Sequence, residues 1–332
     1  MTASMIAAPI RRIAILTSGG DAPGMNAAIR ALTRASIAQG WEPHGVRNGF
    51  AGLLADQIEP LTARAVGGII QSGGTLLGSA RSKAFQTDAG RATALANLRR
   101  RGIDALFVIG GNGSQTGSQS LEQAGFPVVG VPSTIDNDLE GTDVTIGVDT
   151  AVSVTLEAMD RLRTTGASLQ RAFLVETMGR HCGYIALMAG LAGGAEVIVI
   201  PEQEIEPHEV AVRLQAAWTR GKSHALVVVA EGVKNGAEAI LRHFVEHGDA
   251  IGFELRITRL GHVVRGGVPT ASDRILATRL GVAAVGQLAQ GIHGVLVGLR
   301  AGEIRTIPLA DVAGRTKRPD VGLLETARML AL

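Results

Sequence analysis

The stretch Val131-Pro132-Ser133-Thr134-Ile135-Asp136-Asn137-Asp138 joins an apolar run, which begins at Phe126, to a polar turn. Pro132 ends the predicted strand because proline cannot donate a hydrogen bond to a sheet ladder. A hydroxyl, Thr134, and two carboxylates, Asp136 and Asp138, follow at once. Taken alone, this pattern is equally typical of an Asx-rich turn after a strand.

Two glycine-rich turns follow other predicted strands and favour a ligand site. Thr17-Ser18-Gly19-Gly20-Asp21 follows the first strand, and Ile109-Gly110-Gly111-Asn112-Gly113-Ser114 follows the strand at 105–109. Ligands of parallel α/β sheets bind outside the carboxyl ends of the strands, and backbone amides there attract phosphate. Neither turn has the Gly-Lys-Ser/Thr of a Walker motif. The three strand ends together predict one site that holds phosphate beside a carboxylate base.

Strands and helices alternate outward from this site, which predicts an α/β fold with mostly parallel sheets. Apolar runs predict strands at 13–17, 105–109, 126–131, 173–177, 196–200, 224–230 and 294–299, and a further strand is predicted at 254–260. Helical periodicity predicts helices at 23–38, 90–101, 115–124, 150–163, 184–192, 207–220, 237–246 and 273–289. A chain of 332 residues is long enough for two compact units.

Composition limits the choice of partners. The net charge is +2, so nucleic acid is not indicated as a partner. No uninterrupted apolar run reaches the length of a membrane span, so no membrane partner is expected. The single cysteine, Cys182, cannot form a disulfide within the chain, which favours a cytoplasmic location.

An ordered set of motifs resembles the 6-phosphofructokinase family, in its bacterial ATP-dependent form. The motifs are LTSGGDAPGMNAAIR at 16–30, TIDND at 134–138, MGR at 178–180 and LGHVVRGG at 260–267. The resemblance runs from about Ile13 to Pro319. It implies a glycolytic kinase that transfers a phosphoryl group from ATP to the C1 hydroxyl of fructose 6-phosphate, giving fructose 1,6-bisphosphate. It also implies Mg²⁺ as cofactor and a homotetramer with shared active sites.

The resemblance further implies two Rossmann-like, three-layer αβα domains. The larger, nucleotide-binding domain is expected at 1–147 plus 260–310. The smaller, sugar-phosphate-binding domain is expected at 148–259 plus 311–332.

Catalytic roles are assigned to residues of the same motifs. Asp136 would be the general base, because a hydroxyl nucleophile needs a group that takes its proton. Thr134 would hold the transferring group, and Asp138 would orient the base or bind the metal. Arg81 would bridge the donor phosphates and Arg180 would lie near the transferred group, where negative charge shifts between oxygens.

Binding residues follow from the resemblance in the same way. The nucleotide residues are Gly20, Arg81, Ser82, Gly111, Asn112, Gly113 and Ser114, with Phe50 as a candidate contact to the base. The metal candidates are Asn112 and Asp138. The substrate residues are Thr134, Ile135, Asp136, Arg171, Met178, Gly179, Arg180, Glu231, Arg256, His262, Val263, Val264 and Arg265. In the family, the residues that match Arg171 and Arg256 reach over from a neighbouring subunit.

A second, allosteric site for a nucleoside diphosphate or phosphoenolpyruvate is implied by residues that match family effector positions. These are Arg30, Arg34, Arg163, Glu196, Arg220 and Lys222. Ala63 departs from the pattern, since a further arginine is expected there; Arg64 stands beside it.

Three positions bear on the choice between related activities. Asn112 stands where the family usually has Asp, and a neutral oxygen is a weaker ligand for a hard dication. Pyrophosphate-using relatives usually carry Asp where this chain has Gly113 and Lys where it has Ser133, so these two residues favour ATP. The alternatives are a pyrophosphate-dependent phosphofructokinase and a catalytically weak regulatory subunit that senses sugar phosphate; Asn112 is the support for the latter.

Overall fold

The computed structural model describes residues 4–5 and 9–331. Its strands are β1 Ser4–Met5, β2 Arg12–Ser18, β3 Glu42–Val46, β4 Ile58–Pro60, β5 Ala105–Gly110, β6 Val128–Pro132, β7 Arg171–Thr177, β8 Val197–Val199, β9 Ala225–Ala230, β10 Glu254–Arg259, β11 Ile292–His293, β12 Val295–Arg300 and β13 Glu303–Pro308. Its α-helices are α1 Met25–Ala38, α2 Gly49–Leu54, α3 Asp88–Arg100, α4 Asn112–Gln123, α5 Val148–Leu169, α6 Tyr184–Ala192, α7 Pro207–Thr219, α8 Ala237–Ile251, α9 Ala271–Ala289, α10 Leu309–Val312 and α11 Gly322–Leu330.

The chain forms two compact units. The first runs up to Asp149 and takes back Arg265–Lys317, and the second comprises Thr150–Val264 and Arg318–Leu332. Residues 311–317, expected in the smaller domain, lie in the first unit, because the Lys317 amide donates to the Asp138 carbonyl at 2.8 Å. Residues 260–264, expected in the larger domain, lie in the second, because the Leu260 amide donates to the Glu176 carbonyl at 2.9 Å.

The first unit contains a seven-stranded sheet with the order β13-β12-β6-β5-β2-β3-β4. The five inner strands run parallel, and β13 and β4 are antiparallel edges. Strand β5 is buried along its whole length, as a continuous apolar run predicts for a strand covered on both faces. In the ladders, Gly110 pairs with Ser18 on one side and with Pro132 on the other. The two glycine-rich turns and the acidic loop therefore leave the sheet at the same edge.

The second unit contains a four-stranded parallel sheet with the order β10-β7-β9-β8. Thr177 pairs with Ala230 and Glu176 with Arg259, so the carboxyl ends of β7, β9 and β10 lie side by side. The predicted α/β class with mostly parallel sheets is confirmed in both units.

Within residues 4–5 and 9–331, no helix combines the length and the apolar character that a bilayer crossing requires.

Candidate active site

The acidic loop, residues 133–138, alternates between buried and accessible side chains. Ile135 and Asn137 are buried, while Thr134, Asp136 and Asp138 are half-buried. The Asp136 amide donates to Thr134 Oγ1 at 3.2 Å, so the hydroxyl fixes the turn at the candidate base. The loop thus presents one hydroxyl and two carboxylates outward. The Ile135 side chain belongs to the core, which leaves its backbone as the part that a substrate can contact.

Asn112 ties the second glycine-rich turn to the acidic loop. Its Nδ2 donates to Asp138 Oδ2 at 2.9 Å and to the Asp138 carbonyl at 3.2 Å. Its Oδ1 is buried and makes no hydrogen bond with the protein. Asn112 is neutral, so Asp138 is the one acidic side chain of this pair. The Asn112 amide oxygen is left for a hydrogen-bond donor or a cation.

The glycines of the turns allow close approach of neighbouring groups. A Cβ on Gly111 would lie 3.3 Å from Thr134 Cβ, so this backbone runs directly beside the acidic loop. A Cβ on Gly20 would overlap the Arg265 guanidinium, which donates from Nη1 to the Asp21 carbonyl at 3.0 Å. The space where a Gly113 side chain would stand is open to 4 Å. Ser114 is buried, with its side chain under Gly110.

The region 79–86 places Arg81 on the surface and Ser82 partly inside. Ser82 Oγ accepts from the Phe85 amide at 3.2 Å. The Phe50 ring stacks on Phe85 with centroids 4.0 Å apart and is 5% exposed. Phe50 is thus a core residue, which leaves little of its ring for the predicted contact to the nucleotide base.

In the second unit, the candidate sugar-phosphate residues follow the carboxyl ends of β7, β9 and β10. The Glu231 amide donates to the Thr177 carbonyl at 2.9 Å, and Arg180 and Glu231 are both exposed. Met178 is buried, and Gly179 has a φ of 141°, which a side chain rarely adopts. His262 and Val263 are exposed, whereas Val264 is buried and offers only its backbone.

An ion pair that the sequence did not reveal lies at the same strand ends. Arg259 Nε lies 3.1 Å from Glu176 Oε1, and its guanidinium also binds Glu238. The hydrogen bond that Arg259 donates to Glu238 and the charge of Glu176 raise the pKa of Arg259 above its ordinary value. Arg259 thus stands at this edge of the sheet as a cation that is already paired with two carboxylates.

Arg171 lies at the opposite end of the second sheet, and Arg256 lies in the middle of β10, where it is the register partner of Phe173. Arg171 begins β7, and its Nε lies 2.6 Å from Glu254 Oε2, while Arg256 binds the other oxygen of Glu254. Strand β7 is seven residues long, which at about 3.3 Å per residue separates Arg171 from its carboxyl end by roughly 20 Å. One copy of this unit therefore does not bring Arg171 to Met178, Arg180 and Glu231.

Among the effector candidates, three in the second unit cluster. Lys222 Nζ donates to Glu196 Oε1 and to the Ala331 carbonyl, both at 3.2 Å, and Arg220 donates to the same carbonyl at 3.1 Å. Arg163 binds the Gly193 carbonyl, and its Nε is buried without a partner. Arg30 and Arg34 lie on α1 of the first unit, where Arg34 donates to the Ala63 carbonyl at 3.3 Å.

Phosphate-binding turns and a carboxylate loop at the carboxyl edge of a parallel sheet are typical of a phosphoryl-transfer enzyme. The sequence pattern of the family described as phosphofructokinase matches residues 12–288. The chain belongs to this family.

Individual similar proteins belong to the same family. The chain is 53% identical, over 97% of its length and 100% of the relative's, to ATP-dependent 6-phosphofructokinase 1 of Thermus thermophilus. It is 50% identical to ATP-dependent 6-phosphofructokinase of Bacillus subtilis, over 88% of this chain and 90% of that one. Among solved structures, Pichia pastoris phosphofructokinase in the T-state superposes with a TM-score of 0.86 at 37% identity, covering 92% of this chain and 35% of that longer one.

Proposed function

We propose that this protein is an ATP-dependent 6-phosphofructokinase, which converts fructose 6-phosphate and ATP into fructose 1,6-bisphosphate and ADP in glycolysis. One observation carries the proposal most: the half-buried Asp136 stands in a loop held against a glycine-rich turn at one sheet edge. The proposal is supported by similarity to ATP-dependent enzymes over nearly the whole chain. A cytoplasmic location accords with the single cysteine.

In this proposal Asp136 accepts the proton of the C1 hydroxyl as that oxygen attacks the terminal phosphorus of ATP. The backbone amides of the turns at Gly20 and Gly111–Ser114 bind the phosphates, and Thr134 donates to the transferring group. Arg81 and Arg180 are exposed and able to swing toward oxygens on which charge develops. Most of the catalysis is positioning and charge stabilisation, as is general for phosphoryl transfer.

The sugar phosphate is bound mainly by residues that follow the strands of the second unit. Glu231 accepts hydrogen bonds from sugar hydroxyls, and His262 and Arg265 hold the 6-phosphate by charge-assisted hydrogen bonds. Arg171 and Arg256 come from a neighbouring subunit, which is supported for Arg171 by its location at the amino end of β7. The functional protein is accordingly a homotetramer with shared active sites.

The residues present fit a magnesium ion that accompanies ATP. A hard dication prefers oxygen ligands, and this edge offers the Asp138 carboxylate and the buried, unpartnered Asn112 Oδ1. In the described part of the chain, no group of three or more His, Cys, Asp or Glu residues is placed to hold a metal ion, so the ATP phosphates and water would supply the other ligands. A bound Mg²⁺ would neutralise part of the phosphate charge, while Asp136 accepts the proton of the C1 hydroxyl.

Asn112→Asp is expected to strengthen the dependence on Mg²⁺. The change replaces an N–H donor by a second carboxylate next to Asp138, which costs roughly 1–3 kcal/mol of stability when no cation is present. The melting temperature should fall by several degrees in EDTA and recover in millimolar Mg²⁺. Asn112→Ala is the matched control, because it loses the same hydrogen bond without adding charge and should show no such recovery. Equal metal responses of the two variants would contradict the proposed role.

The choice of ATP over pyrophosphate is supported by two small residues. Gly113 leaves open space, so a nucleotide phosphate meets no side chain there. Ser133 is buried, and its Oγ donates to the Ile146 carbonyl at 3.2 Å rather than reaching toward a ligand. Neither position carries the charge expected in a pyrophosphate-dependent enzyme.

The position of the new phosphate on the sugar tests the proposed reaction. Incubation with fructose 6-phosphate and MgATP should give a second phosphomonoester signal in the ³¹P spectrum, coupled to the C1 protons, together with ADP. Release of inorganic phosphate without a new sugar signal, or phosphorylation at another carbon, would contradict the proposal.

An effector site in the second unit is a further part of the proposal. A cavity of ≈ 250 Å³ is lined by Glu196, Arg213, Ala216, Arg220, Arg328 and Ala331. Arg220 and Lys222 both use the neutral Ala331 carbonyl as acceptor, which is a weaker partner for two cations than a phosphate. A phosphorylated effector would therefore displace this carbonyl.

Removal of residues 331–332 should consequently tighten effector binding. With phosphoenolpyruvate as the titrated probe, calorimetry should show a Kd lower by roughly 5- to 30-fold, since the effector no longer competes with one or both hydrogen bonds to Ala331, each worth roughly 1 kcal/mol. Arg220→Ala in the shortened chain should abolish the gain. An unchanged Kd after truncation would contradict competition by Ala331.

A further inference from the structure

The acidic loop is supported from behind by residues 142–147, which none of the motif-based roles includes. We propose that Asn137 and Thr145 are positioning residues that hold Asp136 in its catalytic place; this inference rests on Asp136 being the base of the proposed function. Neither residue needs to touch a substrate for this role.

Asn137 and Thr145 together form a clamp on the acidic loop, and Asn137 is its first half. It is 2% exposed and has a φ of 50°, in the left-handed region that asparagine tolerates better than most residues. Its Oδ1 accepts from the Thr145 amide at 3.0 Å, and its Nδ2 donates to the Asp143 carbonyl at 3.1 Å. Both polar atoms of the side-chain amide therefore bind Asn137, the residue after Asp136, to the supporting segment.

Thr145 fastens the other side of the loop. It is fully buried, and its Oγ1 donates to the Thr134 carbonyl at 2.6 Å. The Thr134 amide in turn donates to the Ile146 carbonyl at 3.1 Å. The backbone is thus fixed two residues before Asp136 and one residue after it, by the same supporting segment.

The supporting segment is itself anchored to a helix. The Gly147 amide donates to Asp273 Oδ1 at 2.7 Å, and Asp273 is fully buried in the first turn of α9. A Cβ on Gly147 would lie 2.6 Å from Ala22 Cβ, so this backbone is also packed against the first glycine-rich turn. The clamp therefore connects the base to rigid parts of the first unit, as precise catalytic geometry requires.

The expected consequence is a loss of rate without a comparable loss of binding. A base acts only within hydrogen-bond reach of its proton, and displacement by about 1 Å can cost on the order of 10²-fold in rate. Asn137→Gly retains access to the left-handed backbone but removes both side-chain hydrogen bonds. It should lower kcat by about 10- to 100-fold while the KM for ATP and for fructose 6-phosphate changes by less than about threefold.

Thr145 supplies the conservative comparison. Thr145→Val removes the hydroxyl at nearly constant volume and should lower kcat in the same way, whereas Thr145→Ser keeps the donor and should restore most of the rate. A purely structural role would lower thermal stability without this pattern.

Hydrogen exchange of the peptide 131–147 decides the inference independently of activity. Faster exchange in Asn137→Gly and Thr145→Val, with wild-type exchange in Thr145→Ser, supports the clamp. Unchanged exchange, or variants whose kcat equals that of the wild type, would overturn it. An inactive wild-type protein would instead refute the proposed function, while the exchange rates would still report on the clamp.

Discussion

Asp136→Asn should lower kcat by between about 10²- and 10⁴-fold, the usual contribution of a general base. The substitution keeps the size of the side chain and its place in a half-buried loop, but the amide cannot accept the proton of the C1 hydroxyl. Calorimetric binding of fructose 6-phosphate should change little, because the binding cations and Glu231 are intact. The loss should therefore appear in kcat rather than in KM.

Glu140→Gln is the matched control for this experiment. Glu140 is half-buried, lies four residues after Asp136, and undergoes the same change of charge. Its variant should retain nearly the full rate. A comparable loss in both variants, or a loss below about tenfold in Asp136→Asn, would show that Asp136 is not the base.

The second large effect concerns active sites that are built from residues of two subunits. A protein with Arg171→Ala and Arg256→Ala should have a KM for fructose 6-phosphate raised by about 10²-fold or more, because loss of charged partners costs several kcal/mol. In their own subunit both arginines pair with Glu254, and Arg171 lies at the amino end of β7, away from the carboxyl edge of the sheet. The loss should therefore fall on the site of the neighbouring subunit.

Mixed assemblies test this directly. Co-refolding the double-arginine variant with Asp136→Asn should restore up to about a quarter of wild-type activity, since random mixing gives some sites with both parts intact. Co-refolding Asp136→Asn with Thr134→Ala should restore none, because both defects lie in the same loop of one chain. Absence of recovery in the first mixture, despite mixed tetramers, would contradict shared sites.

Sequence patterns predicted the main strands well because these are continuous apolar runs buried on both faces, such as Ala105–Gly110. The edge strands Ile58–Pro60 and Glu303–Pro308 were missed, because half-exposed edges carry polar residues and prolines that resemble loops. The helix Val148–Leu169 extends beyond its predicted end at 163, since its last turns are mostly polar and lack an apolar face.

The candidate site was predictable to a similar extent. An apolar run followed at once by a glycine-rich or acidic segment marks the end of a strand in a parallel sheet. The glycine-rich turns and the acidic loop could therefore be predicted from the sequence. The Asn112–Asp138 hydrogen bond, the burial of Phe50 and the clamp on Asn137 depend on packing between segments distant in sequence. The positive φ of Asn137 leaves one sequence signal, an asparagine between two aspartates, but that pattern also fits an ordinary turn.

The most direct test of the account is the initial rate of fructose 1,6-bisphosphate formation from fructose 6-phosphate, with ATP or pyrophosphate as donor, over a Mg²⁺ titration. The account predicts turnover with ATP and none with pyrophosphate, rising with Mg²⁺. Turnover with pyrophosphate alone would mean that Gly113 and Ser133 were misinterpreted. A folded tetramer that binds fructose 6-phosphate but turns over neither donor would contradict the enzymatic role and indicate a regulatory sugar-phosphate-binding subunit.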